Sequence, residues 1–147
     1  MKVLYFDDEP FIAKALVEHL RILYERDVTL VFEINDLFEE LESNHYDIIV
    51  LDIMAPIPPF DNHFVRFTKN EIKEMDGGLS TGIVLARKIW ESYERISLLF
   101  FSARSRPEAI AKFQKEGRQC EYLRKPELAK TVNEALNQLT KTNSDEK

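Results

Sequence analysis

Three short stretches of this chain are apolar at nearly every position instead of every second one: residues 3–6 (VLYF), 47–53 (DIIVLDI) and 96–101 (ISLLFF). Successive side chains of a strand point to opposite faces, so a half-exposed strand alternates. A continuous apolar run of strand length therefore predicts burial on both faces, as on the inner strands of a parallel sheet. Residues 28–32 (VTLVF) and 120–123 (CEYL) are two further β-rich runs.

Segments of helical spacing separate these runs. Pro10 stands where a first helical turn tolerates proline, and Ile12, Ala15, Leu16, His19, Leu20 and Leu23 follow it at helical intervals. Asn35 is a candidate cap for a short helix carrying Leu37, Phe38 and Leu41. Residues 81–93 place Ile83, Ala86, Ile89, Trp90 and Tyr93 on one side, Pro107 opens a helix that Gly117 closes, and residues 127–139 form a last one. Strands alternating with helices predict a parallel sheet covered on both faces. Five of each fit a doubly wound α/β domain over residues 1–140, with residues 141–147 as a flexible polar tail.

The same sequence excludes several classes. No apolar run approaches the roughly 20 residues of a membrane span, and acids follow the first apolar residues where a signal peptide would stay apolar. A single cysteine, Cys120, allows no internal disulfide and suits a reducing cytoplasm. The net charge of −6 hides a balance of −10 over residues 1–81 and +5 over residues 82–130. An acidic chain argues against direct binding of nucleic acid.

Doubly wound sheets bind ligands at the carboxyl ends of their strands. The first run delivers Asp7 and Asp8, followed by Glu9; the third delivers Asp52, the fourth Ser102 and the fifth Lys125. Each has an ordinary use alone: acids before Pro10 suit a helix N-terminus, Ser102 suits a turn, and Lys125 suits solvent. Asp52 resists that treatment, because it closes an apolar strand where an unpaired carboxylate is costly. Together they bring three carboxylates, a hydroxyl and an ammonium to one small area. Oxygen ligands of this kind suit Mg²⁺. With the charge balanced, one carboxylate is a nucleophile toward phosphorus, and the lysine and hydroxyl suit the transferred group's oxygens.

The pieces YFDDEP, VLDIM, LFFSAR and YLRKPEL, in this order and spacing, resemble the receiver domain of two-component response regulators over nearly the full chain. The resemblance implies a flavodoxin-like sheet of strand order 2-1-3-4-5. It implies that Asp52 accepts the phosphoryl group from a histidine kinase, a phosphotransfer protein or a small donor such as acetyl phosphate. Asp8, Asp52 and the backbone carbonyl of Met54 would bind Mg²⁺ directly, and Asp7 through water. Ser102 takes the place of the switch hydroxyl, Lys125 that of the phosphate-binding lysine, and Tyr122 that of the switch aromatic. The chain would catalyse its own phosphorylation and dephosphorylation without being a conventional enzyme. It would act in the cytoplasm on an output protein, or as a homodimer, through the fourth helix, fifth strand and fifth helix, where Arg106, Lys112, Lys115, Arg118 and Arg124 lie.

The chain departs from that pattern after Asp52. Residues 60–74 (FDNHFVRFTKNEIKE) stand as an insertion between APIPP and MDGG. Phe60, Phe64 and Phe67 argue against plain disorder. The insert is a lid over Asp52, a docking patch, or a segment packed on the domain's own surface. His63 with Asp61 lacks a second histidine for a metal site. GGLSTG is not a phosphate loop, since Ile83 follows Gly82 where lysine is required; its Ser80 or Thr81 is a candidate helix cap. Two other functions compete with the switch. A pseudo-receiver would keep the fold as a phosphorylation-independent binding module. A haloacid-dehalogenase-type phosphatase would need a second acidic pair after Lys125, which the sequence does not supply.

Overall fold

A computed structural model describes residues 1–59 and 64–145. The strands are β1 (Lys2–Phe6), β2 (Asp27–Val31), β3 (Ile48–Leu51), β4 (Ser97–Ser102) and β5 (Cys120–Arg124). They form one sheet in the order β2-β1-β3-β4-β5, and every pair is parallel. The helices among the described residues are α1 (Pro10–Tyr24), α2 (Ile34–Ser43), α3 (Lys69–Glu74), α4 (Thr81–Ser92), α5 (Glu108–Lys115) and α6 (Ala129–Asp145), with a 3-10 turn at Asp76–Gly78. The five helices expected from periodicity are α1, α2, α4, α5 and α6, and α3 is an extra one within the insert.

The two-residue period of the inner strands divides one sheet between two cores. Leu4, Phe6, Ile49, Leu51, Leu98 and Phe100 face Leu37, Leu41, Leu85, Ile89 and Phe113 of α2, α4 and α5. Their neighbours Val3, Tyr5, Ile48, Val50, Leu99 and Phe101 face Leu16, Leu20, Val132 and Leu136 of α1 and α6. This two-sided packing is why those strands show no polar alternation. Cys120 lies in the first core, and burial pushes its thiol up to about 12, which makes it inert near neutral pH.

The structure corrects the face of α1. Its buried residues are Ala13, Leu16, Val17 and Leu20, whereas Ile12 is 68% and Leu23 64% exposed. The helix carries apolar residues on more than one stripe, so spacing alone does not fix its phase. Contact with β2 and α6 selects the stripe.

Three helix ends also differ from expectation. Asn35 lies inside α2, whose cap position is Glu33 with no side-chain cap bond. Neither Ser80 nor Thr81 caps α4 through its hydroxyl: Ser80 takes the cap position without a side-chain bond to the helix, and Thr81 Oγ1 donates to Ala55 O at 2.6 Å. α6 starts at Ala129 and continues to Asp145, through the start of the expected tail. Its apolar period stops at Leu139, but extending a formed helix fixes only one residue per added hydrogen bond.

The described part of residues 60–74 is folded. Val65 is buried, and Phe64 and Phe67 pack partly buried against the core. α3 opens with a reciprocal capping box between Thr68 and Glu71, and Lys88 and Arg87 of α4 pair with Glu71 and Glu74. For these residues, packing on the domain's own surface is the outcome. Phe60, Asp61 and His63 lie outside the described residues.

Candidate phosphoryl-acceptor site

The sheet brings Asp7, Asp8, Asp52 and Lys125 together at the carboxyl ends of β1, β3 and β5, with β4 lying between the last two. Asp7 and Asp8 follow β1, Asp52 follows β3, and Lys125 follows β5. Oxygen atoms of Asp7, Asp8 and Asp52 all lie within 4.8 Å of one another. Asp7 and Asp52 are 2% and 5% exposed, while Asp8 is half-buried. Like charges so close and so dry repel, so the arrangement needs a counter-charge.

Lys125 supplies part of it, with Nζ 2.6 Å from Asp7 Oδ2 and 3.0 Å from Asp52 Oδ2. Backbone donors supply more: the Glu9 N–H reaches Asp7 Oδ1 at 2.8 Å and the Met54 N–H reaches Asp52 Oδ1 at 3.1 Å. Burial still dominates at Asp52 and raises its carboxyl above the usual range, because the Lys125 charge and hydrogen bond offset only part of the desolvation. Asp8 is raised as well, first by burial and then by the charges of Asp7 and Glu9. Burial alone would depress the Lys125 ammonium, but hydrogen bonds to the two aspartates and their charges outweigh it and raise its pKa.

Asp8, Asp52 and Lys125 line an open pocket of about 350 Å³, together with Glu9, Met54, Ala55, Pro56, Gly77, Gly78, Leu79 and Ala103. An all-oxygen set with a short-range charge excess fits a hard divalent cation, and Lys125 alone leaves the three carboxylates net negative. The described part of residues 60–74 packs beside α4, and Gly77, Gly78 and Leu79, which follow it, line the pocket.

Ser102, fully buried at the end of β4, turns its Oγ toward its own loop and accepts the Arg104 N–H at 3.3 Å. The Tyr122 hydroxyl donates to the carbonyl of Arg104. Two contacts at the site were not legible in the sequence. Gly82 opens α4 against β3, donating its N–H to Ile53 O at 2.8 Å. Arg104 reaches back across the pocket rim, donating from Nη1 to Leu79 O at 2.8 Å and Ser80 Oγ at 2.6 Å. No sequence pattern announces this bridge from Arg104, since its partners lie far away in the chain. The α3 capping box, by contrast, was readable as Thr68-Lys69-Asn70-Glu71.

No protein-family model and no curated protein sequence matches this chain. Solved structures do. The Francisella response regulator 1452 receiver domain superposes with a TM-score of 0.68 at 23% identity, covering 96% of this chain and 97% of its own. A CheY-like response regulator receiver domain protein from Methanospirillum hungatei gives a TM-score of 0.73 at 14% identity, covering 99% and 98%. The response regulator TrrA from Thermotoga maritima, in complex with Mg²⁺ and beryllium fluoride, gives 0.66 at 20% identity, covering 94% and 97%. From end to end, with the strand order expected of it, this chain has the fold of response regulator receiver domains.

Proposed function

We propose that the chain is a phosphorylation-dependent signalling switch that takes a phosphoryl group on Asp52. The observation that carries this reading is the cluster of Asp7, Asp8 and Asp52 braced by Lys125 at the carboxyl ends of β1, β3 and β5. An Asp52 carboxylate oxygen attacks phosphorus in a phosphohistidine or a small donor. The bond from phosphorus to the donor breaks, and the leaving group departs with its electron pair. Lys125 stays beside the new phosphoryl oxygens and stabilises their charge. Asp8, Asp52 and the Met54 carbonyl would hold Mg²⁺ directly, with Asp7 acting through water. Such an ion supplies neutralisation of the carboxylates and of the incoming oxygens.

The loop from Ser102 to Arg104 is the two-state element in this reading. Turning the Ser102 hydroxyl toward a phosphoryl oxygen gives up its bond from Arg104 N–H, and Tyr122, attached to the Arg104 carbonyl, feels the change. The group would come from a histidine kinase or phosphotransfer protein. The output contact, with a partner protein or a second copy, falls on α5, β5 and α6, where Arg106, Lys112, Lys115 and Arg124 are exposed. Arg118 is drawn over the Trp90 ring and is less available there.

Intact-mass spectrometry after incubation with acetyl phosphate and Mg²⁺ tests the reading. A single phosphoryl adduct is expected, absent without Mg²⁺ and absent from Asp52→Ala. Failure to form the adduct together with failure to bind Mg²⁺ would favour the pseudo-receiver. Mg²⁺ binding without an adduct would call for a phosphohistidine donor. Calorimetry adds a second prediction. Because Asp8 and Asp52 hold protons more firmly than ordinary carboxyls, Mg²⁺ must displace those protons on acidification. Its affinity is expected to be weaker at about pH 5 than at about pH 7.5 and to level off above the raised carboxyl range. A flat profile would contradict the raised pKa values.

A further inference from the structure

α1 carries a second apolar stripe, turned away from the sheet. Phe11 is 89%, Ile12 68%, Ile22 70% and Leu23 64% exposed, and Ala15 and His19 lie exposed between them. At about 3.6 residues per turn, Phe11, Ala15 and Ile22 fall in one row and Ile12, His19 and Leu23 in the next. The buried stripe of Ala13, Leu16, Val17 and Leu20 holds α1 on β2 and α6 from another side. Lys14, Glu18 and Arg21 occupy the remaining side, with Arg21 Nη1 3.7 Å from Glu18 Oε1. Single exposed apolar residues are ordinary, but a large contiguous patch marks an interaction site. At these fractions the four large residues expose on the order of 600 Å², against about 800 Å² per partner in a standard interface.

Length and spacing decide what covers the stripe. Ile12 and Ile22 stand about 15 Å apart along the helix axis. Only the Pro10 end adjoins the Asp52 pocket, through Glu9, so an occupant reaching for that pocket alone would leave Ile22 and Leu23 bare. Ile12, Ala15, His19 and Ile22 follow the three-four-three spacing of a coiled-coil seam, which calls for another helix. The seam is large at both ends and smallest at Ala15, so it complements itself when reversed. Antiparallel alignment sets Ile12 of each copy against Ile22 of the other and Ala15 against His19, under one twofold axis. We propose that two copies of this chain associate antiparallel along α1, with Phe11, Ile12, Ile22 and Leu23 as the apolar contact. This contact is distinct from the α5 and β5 residues assigned to output, needs no phosphoryl group, and does not rest on the reading of Asp52.

Sedimentation equilibrium of the unphosphorylated full chain, from about 5 to about 200 μM, tests it. A dimer with a dissociation constant of about 1–100 μM is expected for a contact of this size. Ile12→Lys and Ile22→Glu are each expected to weaken it at least about tenfold, since each would bury a charge against an apolar side chain. Both sites are exposed in the single chain, so the urea midpoints should stay put. An equal mixture of the two variants should recover to within about threefold of the parent, because the introduced lysine of one chain then meets the introduced glutamate of the other. Phe11→Ser, with no charge added, is expected to weaken association about fivefold. A parent chain that stays monomeric to about 200 μM overturns the proposal and leaves the stripe to a helix of another protein. Association that survives all three substitutions also overturns it, as a dimer through α5, β5 and α6 would. Dissociated variants that stay apart on mixing overturn the antiparallel alignment.

Discussion

Replacing Gly82 with alanine is expected to destabilise the fold by about 3 kcal/mol or more. Ordinary helix energetics point the other way, since alanine within a helix is favoured over glycine by up to about 1 kcal/mol. Here a Cβ would stand 2.1 Å from the backbone oxygen of Asp52 and 2.6 Å from the Cα of Ile53. Both are main-chain atoms and cannot rotate away. The helix must retreat from β3, which breaks the bond from Gly82 N to Ile53 O and shifts Asp52 itself. Urea unfolding measures the stability loss, and Mg²⁺ titration measures the damage to the site. Gly117→Ala is the control, with φ +87 but no atom within 4 Å of the added Cβ. It pays only for a left-handed backbone, about 1 kcal/mol. Similar losses in the two variants would show that close approach at β3 is not what Gly82 provides.

That glycine marks where sequence reading ran out. The inner strands β1, β3 and β4 were legible because short, nearly continuous apolar runs bounded by helical segments have few other uses, whereas the order of the five strands came from the resemblance to receiver domains. The site was legible because chemistry-bearing residues stood at four strand ends, where the topology collects them. The face of α1 was not. Ile12, Ile22 and Leu23 are as apolar as Leu16 and Leu20, and only tertiary contact decides between the stripes. Gly82 entered the sequence reading only as part of a rejected phosphate loop, although it lets α4 touch the backbone after β3. Arg104 was invisible as a bridge, since its hydrogen bond to Leu79 O joins two loops far apart in the sequence. Long-range polar contacts of this sort carry no periodic signature. Local ones do, as the Thr68–Glu71 capping box illustrates.

Lys125→Met is expected to have a comparably large effect, in a form that depends on pH. The lysine side chain is 18% exposed and bridges two carboxylates that are 3% and 7% exposed as side chains. Removing one partner of such a group leaves buried charge uncompensated, which costs about 3–5 kcal/mol. The sign of the pH dependence follows from the shifts. Lys125 has a raised folded pKa, so its contribution is complete below the unfolded lysine value and is lost as pH rises through the folded value. Asp52 is also raised, so the folded state holds its proton longer than the unfolded chain, and stability falls as pH climbs from the unfolded to the folded value. Methionine removes the charge that restrains that rise, so Asp52 in the variant shifts further upward and its penalty at neutral pH grows. The stability gap between variant and parent is therefore wide at about pH 7.5 and narrower at about pH 5, because Asp52 takes up its proton at a higher pH than an ordinary carboxyl does. Mg²⁺ stabilises any state that binds it and answers the same excess charge, so it should narrow the gap at neutral pH. Phosphoryl acceptance should still drop by about a hundredfold or more, because the ion does not replace the ammonium beside the transferred oxygens. Urea unfolding at both pH values, with and without Mg²⁺, separates these terms. A gap that stays constant across pH and Mg²⁺ would mean that Lys125 contributes packing rather than charge, and the electrostatic account of the site would have to be abandoned.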